Sequence, residues 1–371
     1  MGVYSRLGIR PVINAQGTVT ALGGSVMDPA VLAAMAEAST AFVDMVELQR
    51  RAGERIAELL GVEAACVTSG AAAGLTIATA AFMARDRPEA ILALPDTDGL
   101  RDQVVVLKCH RILYDQAIRV SGAAFVEVGV TSAASIEVLD AAITDRTGCV
   151  FFAAEASGMR GSLPLRAVAA CAHARGVPVL VDAAAELPPP GNVRHFLDEG
   201  ADLVVFSGGK EIGGPQSSGL IVGREPYIGY CHANSFPHYG IGRGMKTDKE
   251  TIVGLVTAVE LWVQRDYDAV FDQWDATVAT ILTGMAGIPE VTAERGFPSE
   301  PGVQPTVIPR AYLSHAACSA ADLQSALLNL DPPVAVGVEN GRLAVNPQCL
   351  RPGEIPVVVA ALQDVCRRAT T

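Results

Sequence analysis

The sequence predicts an α/β protein: a large domain on a mostly parallel sheet, followed by a smaller α+β domain. Three observations carry this. Short, β-branched apolar runs alternate with stretches of helix length, the pattern of parallel strands buried on both faces. Half of the residues are hydrophobic and only 18% are charged, enough for an extensive core. The chain has 371 residues, long for one core and suited to one large and one small domain.

An extended, glycine-rich arm runs from Pro11 to Ser25. Pro29 then opens a helical pattern with Val31, Leu32, Met35 and Phe42 on one face, and a second helix spans about Met45 to Leu60 and stops at Gly61. The strand candidates that follow are Ala64–Thr68, Ala90–Leu94, Val104–Leu107, Ala123–Val128, Cys149–Ala153, Val177–Val181, Leu203–Phe206 and Gly219–Val222. From Lys249 a long helix carrying Leu255, Val259, Leu261 and Trp262 leads out of this unit. Shorter strands are expected at Val303–Ile308, Val334–Val338 and Leu343–Val345, with helices at Ala320–Leu330 and Ile355–Arg367. The expected partition is an N-terminal arm and helix (1–40), a large domain (41–248), and a linking helix with a small C-terminal domain (249–371).

Composition narrows the function classes. A net charge of −12, with no Lys/Arg run, argues against a nucleic-acid partner. The eight cysteines are scattered, without Cys-x-x-Cys pairs or zinc-ligand spacing, so no metal is expected and the thiols read as buried in a reducing cytoplasm. Neither an apolar core of signal-peptide length near Arg6, Arg10 and Pro11 nor an uninterrupted transmembrane span is visible, so no membrane association is expected.

The chemistry concentrates between Val177 and Lys210. One apolar strand delivers Asp182 and the next delivers Ser207-Gly208-Gly209-Lys210. An acid and an amine at the carboxyl ends of neighbouring strands fall where open α/β sheets bind ligands. Alone, Lys210 reads as a turn lysine and Asp182 as a helix cap. Together they are the pair that pyridoxal 5'-phosphate requires, an amine for its aldehyde and an acid for its ring nitrogen. Thr68-Ser69-Gly70-Ala71 follows a strand and opens a helix, a ready phosphate site. His110 follows another strand near the same edge, where it is expected to stack on the ring. Gly213 to Gly219, including Gln216, form a turn that shapes the pocket, and Arg243-Gly244-Met245-Lys246 offers two cations for a carboxylate or phosphate, across a subunit boundary in one reading.

These segments resemble the fold-type I pyridoxal-phosphate enzymes of the selenocysteine-synthase-like group, most closely the D-glucosaminate-6-phosphate ammonia-lyase branch. The resemblance runs through Pro11–Thr18, Phe42–Met45, Val67–Ala73, His110-Arg111, Val181–Pro189 and Ser207–Lys210 to Gly242–Lys246, the first two thirds of the chain. It implies a fold-type I transferase architecture with a mostly parallel seven-stranded sheet. It also implies Lys210 as Schiff-base lysine and catalytic base, Asp182 on the pyridine nitrogen, His110 over the ring, and Ser69, Gly70, Ala71, Ala184 and Ser207 around the cofactor. Sites shared between two subunits follow, hence a homodimer or higher homo-oligomer.

The chain departs from the group at Gly213 and Ala344, where relatives carry arginine. The usual carboxylate clamp is therefore absent or moved to Arg243 or Arg310, and Asn14, Thr18, Gln216 and Lys246 are further substrate candidates. The expected reaction is α-proton abstraction from an amino acid or 2-amino sugar acid, then β-elimination to a keto acid and ammonia. A racemase or epimerase would share the first step and need a second acid such as His110 or Tyr239. An aminotransferase and a non-catalytic cofactor-binding protein are the remaining alternatives. Selenium transfer onto tRNA is disfavoured because the acidic chain shows no RNA-binding extension.

Overall fold

A computed structural model describes residues 2–369, which form two compact units. One comprises Met27–Gln264; the other joins the chain up to Val26 with the residues from Arg265 onward. This division differs from the expected partition at both ends. The strand Ile13–Ala15 pairs in parallel with Val334–Glu339, which makes the arm part of the smaller unit's sheet. The helix Lys249–Trp262 packs on the helices Pro29–Ala38 and Met45–Leu60, which makes it part of the larger one.

The larger unit is built on a seven-stranded sheet. Its spatial order is Ala64–Thr68, Gly219–Gly223, Leu203–Ser207, Val179–Asp182, Thr147–Ala153, Gln103–Leu107, Ala124–Val128. All neighbours run parallel except Gly219–Gly223, which is antiparallel to both of its partners. The interior strands are buried along nearly their whole length, as β-branched runs covered on both faces require. The helix Ala71–Ala84 is apolar around its whole circumference and buried from Ala73 onward, so its alanines and Gly74 lie against the sheet.

One expected strand is a helix. Pro88–Ala93 begins with Pro88 in its first turn, where a missing N–H costs nothing, and its alanines favour the helix; Leu92 on its outer face is 66% exposed. The face proposed for the first helix is also narrower than expected. Val31 is buried, but Leu32 is half exposed and Phe42, beyond the helix end at Ala38, is fully exposed.

The smaller unit carries a five-stranded sheet in the order Ile13–Ala15, Val334–Glu339, Arg342–Val345, Arg310–His315, Val291–Gly296. The strand expected at Val303–Ile308 forms instead at Arg310–His315, because Pro305 and Pro309 cannot donate to a ladder and pairing starts after them. The helices Tyr267–Met285, Ala320–Leu328 and Ile355–Ala369 complete this unit's core. Among the described residues no helix is long and apolar enough to cross a membrane, and no group of three or more His, Cys, Asp or Glu side chains could hold a metal ion.

Candidate active site

Strand register brings the site's charged groups to one sheet edge. Ala153, Asp182 and Val205 are partners across three adjacent parallel strands. Asp182 is the last residue of its strand, and the Ala183 N–H extends the ladder to the Val205 carbonyl at 2.9 Å. Its carboxylate accepts the Ala184 N–H at 3.0 Å, so Ala184 serves to orient the acid. The chain then turns tightly, with the Glu186 N–H on the Ala183 carbonyl at 3.1 Å and the Asn192 side chain on the Glu186 carbonyl at 2.7 Å.

Lys210 follows the next strand on a loop tied back at several points. The Gly208 N–H donates to the Ser218 carbonyl at 2.9 Å, and the Gly213 N–H to the Lys210 carbonyl at 3.0 Å. The glycines before the lysine are required by crowding. A Cβ on Gly208 would lie 2.2 Å from Ser218 Oγ, and one on Gly209 would lie 2.5 Å from Gln216 Cα. Gly213 has φ +78°, a conformation that strains any other residue, which gives a local reason why arginine does not stand there.

Two further acids, missed in the sequence, stand beside Lys210. Glu155 lies in the turn Ala154–Ala156 directly after the strand that ends at Ala153, and Glu186 is on the turn after Asp182. Burial lowers the Lys210 amine, against the opposing pull of Asp182, Glu155 and Glu186. Burial raises Asp182, countered by the Ala184 N–H and Lys210. Glu155 is raised by burial and by Asp182. Glu186 is pushed up to about 7 by burial, Glu155 and Asp182, with Lys210 opposing. The available signal was positional: each glutamate lies just past the carboxyl end of a parallel strand, Glu186 after the strand beside the lysine's and Glu155 after the next one along the sheet.

The Thr68–Ala71 loop reaches the same edge. Gly219 pairs with Thr68 on one side and Ser207 on the other, so Thr68 and Ser207 end in one row. Gly70 adopts φ +94°, and the helix Ala71–Ala84 starts immediately after it. Its first N–H groups have no intrahelical acceptor. Ser69 commits its hydroxyl hydrogen to the Met245 carbonyl at 3.1 Å, linking this loop to the Arg243–Lys246 segment. A Cβ on Gly70 would meet nothing within 4 Å, so there is open space at the helix terminus for an anion. A partly buried amine, an acid fixed by its own turn and an open helix terminus on one edge fit pyridoxal phosphate.

His110 is placed differently from the expectation. In the turn Lys108–His110 its ring is wholly buried and lies 4.2 Å from that of Phe152, tilted by 49°. Nδ1 accepts the Ala153 N–H at 3.0 Å, so the proton resides on Nε2, which donates to Ser162 Oγ at 2.8 Å. Burial lowers its pKa to about 4, with the Ala153 N–H opposing. The ring is thus neutral with both nitrogens engaged, and its contact is with the end of the Thr147–Ala153 strand. The ring has no solvent-exposed surface in this structure.

The substrate candidates divide between the units. Arg243 and Lys246 are exposed, with their cationic groups 5.3 and 5.8 Å from the Phe236 ring centre. Gln216 is exposed on its turn and Tyr239 is exposed on the following segment. Asn14, Thr18 and Arg310 belong to the smaller unit. Asn14 uses its side chain in a local turn, accepting the Gln16 and Gly17 N–H groups and donating to the Gly17 carbonyl. Arg310 is 3% exposed and ion-paired with Glu339, which also accepts the Tyr312 hydroxyl at 2.6 Å. It is therefore engaged internally, as a structural ion pair within its sheet. Ala344 is buried opposite Tyr312 and Gly337, with no cation in its place.

Comparison with known proteins agrees with this architecture. The D-glucosaminate-6-phosphate ammonia lyase of Salmonella typhimurium is 31% identical over 99% of this chain and 98% of that protein. The 5'-C-glycyluridine monooxygenase-decarboxylase of a Streptomyces species is 33% identical over 98% of this chain and 91% of that one. Among solved structures, a D-glucosaminate-6-phosphate ammonia-lyase superposes with a TM-score of 0.87 at 30% identity, covering 100% of both chains. The fold is that of the fold-type I pyridoxal-phosphate enzymes. The family described as L-seryl-tRNA selenium transferase, SelA, matches residues 12–273, and the chain belongs to that family.

Proposed function

We propose that this protein is a pyridoxal-phosphate-dependent ammonia-lyase that acts on a 2-amino-3-hydroxy acid of the amino sugar acid class. The carrying observation is Lys210 beside Asp182 at the ends of adjacent parallel strands, on the edge that also holds the Gly70–Ala71 helix terminus. The full-length similarity to D-glucosaminate-6-phosphate ammonia lyase supports the substrate class.

When bound, the cofactor supplies an electron sink that acidifies the α C–H bond of an attached amine. Asp182, fixed by Ala184, holds a proton on the ring nitrogen. The first N–H groups of the helix and the Ser207 hydroxyl bind the phosphate. Lys210, whose amine is lowered by burial, is the base for the α-proton, because a depressed pKa leaves more of it in the neutral form. Arg243 and Lys246 are the candidate grips for the substrate's anionic groups. The exposed apolar run Phe42, Val43 and Val46 suits burial against a second copy of the chain, in a homodimer or larger assembly. Cys66, Cys109, Cys149, Cys171 and Cys231 are buried thiols, in keeping with a reducing cytoplasm.

The test loads the purified protein with pyridoxal phosphate in deuterated water. D- and L-amino acids and 2-amino sugar acids are supplied, and α-deuteration, chirality and ammonia are followed together. Ammonia with a keto acid is the expected result; inverted, deuterated amino acid without ammonia refutes the lyase assignment. Lys210→Ala should lose both the visible absorbance of the lysine-linked cofactor and all turnover, and persistence of either removes the central assignment.

A further inference from the structure

A lysine base and a ring-nitrogen acid account for Lys210 and Asp182 but leave Glu155 and Glu186 without a role. Neither glutamate is a stray surface group. Both are partly buried, and each is placed by backbone structure of its own. Glu186 sits on the turn closed by the Ala183 carbonyl and pinned by Asn192. Glu155 stands two residues past Ala153, whose N–H is gripped by the buried His110 ring. With Asp182 they put three carboxyl groups at the sheet edge from which the Lys210 loop leaves, each close enough to act on its amine. Full ionisation there leaves uncompensated negative charge out of water, and the least costly relief is a proton retained on one glutamate. Lys210 favours ionisation of whichever acid it acts on most. Of the three carboxyl groups, Glu186 acts on Lys210 the least, while Glu155 and Asp182 both press a proton onto it.

Elimination of a β-hydroxyl needs such a proton, because hydroxide is a poor leaving group. Resting on the lyase reading above, we propose that Glu186 is the acid that protonates the departing β-hydroxyl, with Glu155 as the positioning residue that keeps it protonated. The step balances without an oxidant or reductant. Lys210 takes the α-proton, the C–H electron pair becomes the Cα–Cβ double bond, and the Cβ–O bond breaks toward oxygen. The oxygen takes the Glu186 proton and leaves as water. Hydrolysis of the resulting enamine then yields the keto acid and ammonia.

The test compares leaving groups in the pyridoxal-phosphate-loaded protein. The probes are D-glucosaminate 6-phosphate, both enantiomers of serine, and both enantiomers of 3-chloroalanine, whose chloride needs no proton. Glu186→Gln should lose about 100-fold or more in ammonia from the hydroxy substrates. It should keep α-deuteration and ammonia from 3-chloroalanine within a few fold, and keep the cofactor's visible absorbance. A second readout needs no turnover: the infrared band of a protonated carboxyl in the cofactor-free protein should fade as pH rises through about 7 and be missing from Glu186→Gln.

Equal losses on hydroxy and chloro substrates, or no loss on either, overturn the proposal while wild-type elimination leaves the lyase reading intact. An infrared band that persists unchanged in the variant overturns it as well. Should the wild-type protein exchange α-protons yet release ammonia from no probe, the lyase reading itself fails and the role of Glu186 fails with it.

Discussion

Alanine at position 219 would drive a methyl carbon into the backbone of the Thr68–Ala71 loop. Gly219 opens the strand that separates Thr68 from Ser207, and its Cβ would lie 2.3 Å from the Gly70 carbonyl carbon, 2.5 Å from the Gly70 oxygen and 2.6 Å from Thr68 Oγ1. Carbon atoms rest at about 3.5–4.0 Å, so the two segments must part by more than about 1 Å. Backbone atoms cannot rotate aside as a side chain would. Overpacking of this kind costs about 1–3 kcal/mol, and each ladder hydrogen bond lost at the Thr68 end adds about 1 kcal/mol, for a total of about 2–4 kcal/mol. The displaced part is the anion cradle, so pyridoxal phosphate should bind at least about 10-fold more weakly, which is about 1.4 kcal/mol. Urea unfolding and equilibrium titration of the cofactor's absorbance read the two effects. Gly191→Ala, where the added carbon meets nothing within 4 Å, is the matched control and should be near neutral. Wild-type unfolding midpoint and cofactor affinity in Gly219→Ala would refute the argument that this strand start sets the position of the Thr68–Ala71 loop.

Other perturbations test separate parts of the structure. Glu339→Gln leaves the Arg310 guanidinium buried without its counter-charge and should destabilise the protein by about 3–5 kcal/mol in urea unfolding. The double change Arg310→Met with Glu339→Leu should recover most of that loss, and additive losses would refute the pairing. For His110 the folded pKa is lowered, so the native state binds fewer protons than the unfolded chain between about pH 4 and the ordinary value of 6.5. The stability it contributes is complete above that window and lost as pH falls through it, by up to about 3 kcal/mol. His110→Gln, which can still accept the Ala153 N–H, should show a shallower acid dependence over this range, and an unchanged pH profile would refute the assignment.

How much of this was legible in the sequence follows the range of the interactions involved. Local chemistry was readable. Val177–Val181 and Leu203–Phe206 are β-branched enough to be interior strands, and Ser-Gly-Gly-Lys and Thr-Ser-Gly-Ala are strand-to-turn junctions that announce an amine and an anion cradle. Pro88 was available to mark a helix start, yet the following apolar run read as a strand, because a run of that length has no decisive period. The arm at Ile13–Ala15 gave no sign that its partner would be Val334, since a three-residue strand takes its identity from the sheet it joins.

Within the site the same division holds. Asp182 and Lys210 could be named because one ends a strand and the other follows the next strand by a short loop. His110 looked like a stacking ring from its position after a strand, but only packing decides which way a ring turns, and here it turns inward against Phe152 and the Ala153 N–H. Arg310 looked like a clamp, but its guanidinium is committed to an ion pair with Glu339. Glu155 and Glu186 are ordinary acids in the sequence. Strand register brings Ala153 level with Asp182, and with it a pair of partly buried glutamates beside the lysine. The sequence by itself determined the sheet and pointed to the lysine and the acid, because strand propensity and turn chemistry act over a few residues. Tertiary structure decided which charges share a low-dielectric pocket, because burial and Coulomb interaction depend on distances that only strand order sets.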